Sequence, residues 1–509
     1  MKRDNVKRDT ALGLDIGTLG VKGVIVSVDG QVVARARLDH DVSHPQPGWA
    51  EQDGEARWWG DGVSVIRELL DAPGVDPACI ASIGVCGLTP CLCLVDGDGR
   101  PLRPAILYSD NRALTQLARA QAALGLPLTA QAITPKWAWL AEHEPEVLRR
   151  ARWVLSSHNY VVYRLTGIAS MDYDTASIVG GAFDARRKAW DTSACAALGL
   201  DVGLLPPPRA ATDVVGGVTL DAAQATGLRP GTPVIAGTGD TFPTIVGCGA
   251  VAPGDAMISF GTTGLLTLTT RPLELAATGP HFEAEAEGGS VAWAANVLAC
   301  GRLLAWYREA FGASVVGTGL APAPAASSVP DFATLDHCAA TIPAGSEGLV
   351  ALPHLMGRRT PTPDPYARGV LFGLTPAHTA AHVYRALLES FGYAVRQGFD
   401  PIRPLVRRVI ATAGGAASPL WRQIVANILD APIEYHYQAS GSLGIAFLAA
   451  YATGLAGGFE TIRDDWLARP ELTLPDAGTR RCYDDLYGLY CHLDSSLSAA
   501  FAMLPSTHD

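Results

Sequence analysis

Two segments about half the chain apart carry the same arrangement, and this echo most narrows what the chain can fold into. At Ala11-Leu12-Gly13-Leu14 an apolar run ends at Asp15, Ile16-Gly17-Thr18 follows, and a second strand-like run extends from Val21 to Val28. At Ala256 to Phe260 another apolar run ends in Gly261-Thr262-Thr263-Gly264, and Leu265 to Thr270 makes the next strand. A glycine turn that closes a strand can aim backbone N–H groups at an anion, because glycine reaches dihedrals closed to other residues. Built twice, it predicts a repeated fold whose two turns serve one ligand. A third such turn, Ala413-Gly414-Gly415-Ala416, follows the strand Val409 to Thr412 and precedes a helix over Pro419 to Leu429.

Between these points the chain mixes strands and helices. Asp29-Gly30 marks a hairpin with Gln31 to Leu38 as its return strand. Gly54 to Leu70 reads as helix, Ile80 to Val85 as a buried strand, Ala113 to Leu124 as helix, and Tyr160 to Thr166 as a helix capped by Gly167. In the second half, Ala294 to Phe311 and Ala380 to Gly398 read as helices, and Ala321 to Pro330 as a mobile excursion. The class is therefore α/β. At 509 residues the chain exceeds what one core serves, so two domains are expected, residues 1–250 and 251–509. The boundary falls inside Val234 to Gly264, between the Gly237-Thr238-Gly239 turn that delivers Asp240 and the Gly261 turn.

The net charge of -11, with no basic run longer than Arg186-Arg187-Lys188, argues against nucleic acid or an anionic membrane and for a small-molecule partner. Met1 to Thr10 has no apolar h-region and no uninterrupted stretch could span a bilayer, so a soluble cytoplasmic protein is expected. Ten cysteines include no C-x-x-C pair. Cys91 and Cys93 flank Leu92 on one face of a strand, where they read as small buried hydrophobes.

Several chemistries are excluded. There is no G-x-x-x-x-G-K-[ST], and all five lysines precede residue 189. G-x-G-x-x-G, HExxH and G-x-S-x-G are absent as well. What remains suits phosphoryl transfer assembled from backbone turns, a hydrated metal and a carboxylate base. Asp15 and Asp240 could divide the metal and base tasks, and each could equally be a turn-former bonding its own backbone.

On these motifs the sequence resembles the FGGY family of carbohydrate kinases, its xylulokinase-like members in particular, from about Ala11 to Gly454. The resemblance rests on Asp15-Ile16-Gly17-Thr18, Gly239-Asp240, Ser259 to Gly264, Gly357 to Gly373, and Gly414 to Gln423. It implies two actin-like ATPase (ribonuclease H-like) domains flanking a deep central cleft, the first binding sugar and carrying the catalytic aspartate, the second binding ATP. It implies ATP and Mg²⁺ as cofactors, Asp240 as the base that activates a sugar hydroxyl, and Asp15 with Asp240 near the metal. Thr18, Gly261, Thr262, Thr263, Gly301, Gly414, Gly415 and Ser418 would hold ATP, while Thr89, Asp110 and Arg112 would lie near the sugar. A homodimer is an admitted assembly.

The chain departs from the family pattern where a Gln-Met-His-Gly run is usual, reading Leu88-Thr89-Pro90-Cys91 after Gly87. Thr241 replaces an Asn, Asn427 an acid, and Ala413 a glycine. The altered sugar edge makes xylulose itself the point in question, since a buried hydroxyl left unpaired costs about 1 to 3 kcal/mol. Asp110 and Arg112 read alternatively as a solvated turn with a surface ion pair. The expected function is an ATP-dependent kinase of a ketose or polyol of pentulose size. The alternatives are a catalytically silent sensor with the same fold and, with less support, an actin- or Hsp70-like ATPase.

Overall fold

The computed structural model describes residues 9–273, 289–316 and 329–504. The chain divides into two compact units: Met1–Ala252 with Arg271–Val291 and Gln438–Leu467, and Pro253–Thr270 with Ala292–Tyr437 and Ala468–Asp509. The first unit thus takes in a segment from late in the sequence.

The strands that organise the first unit are β1 (Thr10–Gly17), β2 (Gly20–Ser27), β3 (Val32–Asp39), β4 (Ile80–Gly87), β5 (Val214–Gly217) and β6 (Pro233–Ile235). They lie in the order β5-β6-β4-β1-β2-β3, with Thr238–Gly239 also pairing on β4. The central strands β6, β4 and β1 are parallel, and β2, β3 and β5 join them antiparallel. In the second unit, β7 (Asp255–Phe260), β8 (Gly264–Thr269), β9 (Val291–Val297), β10 (Arg408–Thr412), β11 (Ile433–Tyr435) and β12 (Glu471–Thr473) lie in the order β9-β8-β7-β10-β11-β12. Here too β7, β10 and β11 run parallel, while β8 pairs antiparallel with β7 and β12 with β11. The echo between Asp15-Ile16-Gly17-Thr18 and Ser259-Phe260-Gly261-Thr262 is therefore an echo of topology. Each segment closes the first strand, in chain order, of its own unit's sheet.

Burial follows from these places. β4 has neighbours on both edges and is buried along its whole length, as its apolar run requires. On β3, Ala34 and Ala36 face the core while Arg35 and Arg37 face water. Along Cys91 to Val95 the alternation is also obeyed: Cys91, Cys93 and Val95 enter one core, and Leu92 and Leu94 another.

The helices that position the site are α1 (Asp61–Leu70), α2 (Thr241–Gly247), α3 (Gly301–Val316), α4 (Ala380–Ile402), α5 (Pro419–Leu429) and α6 (Gly441–Ala452). Buried along most of its length, α6 packs on β1, β4 and α2 at backbone distance. A Cβ on Gly444 would stand 1.8 Å from the Pro243 carbonyl oxygen, and one on Gly13 would stand 2.0 Å from that of Ser442. Only hydrogen fits at either point.

Some local expectations change. β1 does not end at Asp15 but runs on through Gly17, because pairing with Lys22 on one side and Cys86 on the other holds Asp15 inside the sheet. Of the stretch read as one helix over Ala294 to Phe311, Ala294 to Val297 lie in β9, and the helix starts only at Gly301. Alanine-rich propensity yields there to sheet pairing. Gly54 to Leu70 is helical throughout but π-wound to Gly60 and α-helical after it. The helix over Ala380 continues to Ile402. The excursion read over Ala321 to Pro330 lies, up to residue 328, outside the described residues.

Candidate active site

In the first unit Asp15 and Asp240 stand within electrostatic reach of each other. Asp15 comes from the middle of β1, and Asp240 from the end of Thr238–Gly239, just before α2. The Asp240 backbone N–H donates to the Gly87 carbonyl at 3.0 Å, so β4 fixes where the carboxylate starts. Loss of water, then the charge of Asp15, push the Asp240 carboxyl up to about 7. The Thr241 hydroxyl, 3.3 Å away, opposes that shift by donating to Oδ1.

Burial likewise raises Asp15, against the opposing influence of Lys22 and a hydrogen bond from the Cys86 thiol. Its Oδ1 is buried without a hydrogen-bond partner among the described residues. A Cβ on Gly441 would come within 3.3 Å of Asp15 Oδ2, so the N-terminal end of α6, a helix of 12 residues, abuts the carboxylate. Two carboxylates held close at a cost, one with an orphaned oxygen, form a donor set suited to a hard cation. Mg²⁺ in particular takes one or two protein carboxylates and fills its remaining positions with water and phosphate oxygens.

The turn after β1 is braced from below. Gln52 donates its amide to the Thr18 carbonyl at 2.8 Å, and Trp58 fixes that amide through its indole N–H at 2.9 Å. His40, paired with Asp61 at 2.9 Å, lies 3.1 Å from the Gly17 carbonyl.

In the second unit the turn Gly261-Thr262-Thr263 links β7 to β8, with both threonines exposed. The start of α3 is fastened to it: Gly301 N–H donates to the Gly261 carbonyl at 2.8 Å, and Cys300 N–H to that of Thr262 at 3.1 Å. A side chain at Gly301 would meet the Gly261 oxygen at 2.8 Å. Gly414 and Gly415 follow β10 in a single 3₁₀ turn ahead of α5. Ser418 caps α5 by accepting the Trp421 N–H at 3.1 Å, and donates to Asp336 at 2.6 Å. Gly261, Thr262, Thr263 and Gly301 are thus brought together by direct contact. The hydroxyl of Ser418 is occupied by its cap and by Asp336.

Known proteins match this arrangement over nearly the whole chain. Residues 10–247 match the model of the FGGY carbohydrate kinase N-terminal domain, and residues 256–453 that of the C-terminal domain. The chain belongs to the FGGY family of carbohydrate kinases. Xylulose kinase of Escherichia coli (strain K12) is 30% identical over 486 residues, 93% of this chain and 96% of that protein. Glycerol kinase of Nocardia farcinica (strain IFM 10152) is 27% identical, over 92% of this chain and 95% of the relative. The crystal structure of xylulose kinase from Rhodospirillum rubrum aligns with a TM-score of 0.80 at 30% identity, covering 97% of this chain and 100% of that one. The FGGY chain is accordingly an ATP-dependent sugar kinase of two actin-like ATPase domains, and the reading as a silent sensor is not favoured. Among the described residues no helix is long and apolar enough to cross a membrane.

The segment in which this FGGY kinase departs from the family pattern, Leu88-Thr89-Pro90, follows β4. Leu88 is buried in the core, and its carbonyl accepts the Ser157 hydroxyl at 2.8 Å. Thr89, joined to Pro90 by a cis peptide bond, keeps partial exposure. Asp110 and Arg112 are not a surface pair. Both side chains are buried; Asp110 accepts the Ala50 N–H at 2.6 Å, and Arg112 binds Asp110 and Glu51 at 2.7 Å. The Arg112 guanidinium lies 3.7 Å from the Trp49 ring centroid and 5.1 Å from that of Trp139. Held by these partners, the pair is scaffold for the loop that carries it.

The other departures are accommodated locally. Asn427 Oδ1 accepts from Gln423 and from the Asp476 backbone N–H, both at 2.8 Å. Ala413 sits at φ 70 and ψ 177, a region that glycine enters freely and alanine does not.

Sequence reasoning missed His158, Asp172 and Thr238, which form a buried cluster one residue away from Gly239-Asp240. Asp172 and Thr238 lie 66 positions apart, and nothing in their local patterns announces that they meet.

Proposed function

We propose that this kinase phosphorylates a hydroxyl of a neutral ketose of pentulose size, with xylulose as the leading candidate, and that Asp240 takes the proton. The single observation that carries the reading is the placement of Asp240, a half-buried carboxylate fixed through its backbone to β4 at the head of α2, where loss of water and then the Asp15 charge push it up to about 7. A general base works best when its pKa lies near the operating pH. In the reaction the sugar hydroxyl loses its proton to Asp240 as its oxygen bonds to the γ-phosphorus of ATP, and the bond to the β–γ bridging oxygen breaks to release ADP.

The first unit would supply sugar recognition and the base, with Thr89 nearest the sugar. In the second unit, the backbone N–H groups and hydroxyls of the Gly261 to Thr263 turn would meet the phosphates, with Gly301 behind them. Gly414 and Gly415 would border the nucleoside, and Thr18 in the first unit would meet a phosphate. Mg²⁺ would be held by Asp15 and Asp240, and would supply charge neutralisation for the phosphate oxygens there. The orphaned Asp15 Oδ1 supports that placement. The ten free cysteines suit a reducing cytoplasm.

The choice of pentulose rests on the xylulose kinases among the relatives, since in the Leu88-Thr89-Pro90 edge Pro90 stands where the family pattern has its imidazole and Thr89 where it has Met, which leaves one hydroxyl to meet the sugar. A coupled ADP-release assay over D-xylulose, D-ribulose, L-ribulose, D-fructose, glycerol and D-gluconate tests it. D-Xylulose should give the highest kcat/KM. Preference for glycerol or gluconate by more than about tenfold would move the acceptor to another class.

A further inference from the structure

The reaction as described leaves one buried cluster of the first unit unused. Asp172 is wholly buried, and its two oxygens gather three segments of chain. Oδ2 lies 2.6 Å from His158 Nε2. Oδ1 accepts the Thr175 backbone N–H and the Thr238 hydroxyl, each at 3.0 Å. Asn159 Nδ2 also lies 3.0 Å from Nε2, but the shorter, charged contact with the carboxylate favours the proton on Nε2, and Nδ1 has no partner among the described residues.

One arm of the cluster reaches the sugar edge. Thr175 Oγ1 is 3.3 Å from Thr89 Oγ1, which is itself 3.3 Å from Ser156 Oγ. The other arm reaches the base. Thr238 opens the two-residue strand that pairs with Cys86 and Gly87 and leads straight into Asp240. The two arms also touch directly: a Cβ on Gly239 would stand 2.3 Å from Thr89 Cγ2. A hydroxyl has one proton to donate, and that of Thr238 lies between Asp172 Oδ1 and Asp174 Oδ2, the latter at 3.2 Å. The direction it takes therefore depends on how firmly His158 and Thr175 hold Asp172.

We propose that Asp172, oriented by His158, is a positioning residue that ties Thr89 at the sugar edge to the strand delivering Asp240. Thr238 is the link on the base side and Thr175 the link on the sugar side. The inference rests on Asp240 being the base, and it adds that the base's aim is set by the same network that senses the sugar.

The test is steady-state kinetics on D-xylulose and ATP with Thr238→Val, Thr89→Val, the double variant, His158→Gln, His158→Leu and Asp240→Asn. Valine is nearly isosteric with threonine, so Thr238→Val keeps the test open even if His158→Leu fails to fold. Thr238→Val should lower kcat by about tenfold or more while KM moves less than about threefold, the split expected when only the transition state is affected. His158→Gln, which keeps a donor toward Asp172, should retain more kcat than His158→Leu. The double variant should lose less than the product of the single losses, because both links serve one network. Wild-type kcat in Thr238→Val, or strictly multiplicative losses in the double variant, would overturn the proposal while leaving Asp240 as base. Turnover surviving in Asp240→Asn would instead remove the base assignment, and the inference with it.

Discussion

Asp240 shares its buried site with Asp15: the loss of water there, and after it the Asp15 charge, push the Asp240 carboxyl up to about 7. Like charges brought close in a dry environment are costly, and proteins retain such pairs where a cation or a reaction uses them.

The first prediction concerns stability. A carboxyl whose folded pKa lies above its unfolded value binds more protons in the folded state, so stability falls as pH rises between the two values. For Asp240 that window runs from its ordinary value of 3.8 to about 7, and Asp15 acts in the same direction. Without nucleotide or divalent cation, Asp240→Asn should melt higher than the wild type at pH 8, and the gap should shrink as pH falls toward 4. Differential scanning calorimetry across that range checks both the sign and the window.

A second prediction follows for the metal. Mg²⁺ or Mn²⁺ should raise the melting temperature of the wild type, because binding to the folded state alone stabilises it. Asp15→Ala should abolish that rise. An equal rise in the variant would place the cation elsewhere.

The backbone at Ala413 gives a third. Alanine at φ 70 and ψ 177 is held in a conformation that costs about 1 to 3 kcal/mol, part of which glycine recovers. Set against the greater chain entropy glycine loses on folding, Ala413→Gly should stabilise by about 1 kcal/mol in urea titration. Destabilisation would mean that the alanine methyl makes contacts worth more than the strain.

Packing of α6 gives the fourth. Gly444→Ala would drive a methyl into the Pro243 carbonyl at 1.8 Å, with backbone on both sides and no flexible side chain to yield. The expected loss is about 3 kcal/mol or more, together with activity, since α6 and α2 hold Asp15 and Asp240 in place. A near-native melting temperature for this variant would show that the helix can shift.

Much of this was legible in the sequence, and the reasons differ by residue. The Asp15 and Gly261 turns could be read because glycine and threonine at a strand end are local signals, and the repeat multiplied them. Helix α5 was read to the residue, Pro419 to Leu429, because proline at its start and apolar periodicity are local too. The start of α3 is not legible because β9 forms by pairing with β8, which no local pattern reveals. Asp110 and Arg112 could be read alternatively as a surface pair because the covering groups, Trp49, Glu51 and Trp139, come from distant parts of the chain. Of the contacts of Asp172 the sequence shows only the local cap to Thr175; those to His158 and Thr238, 14 and 66 positions away, are hidden for the same reason.

The central claim is that Asp240 removes the proton from the sugar hydroxyl as phosphate is transferred. The most direct measurement is the initial rate of ADP release on D-xylulose, with ATP and Mg²⁺ saturating, for the wild type and Asp240→Asn side by side. A fall in kcat of about a hundredfold or more, in a variant that folds and still binds ATP, is the predicted result. A kcat within about threefold of the wild type would contradict it.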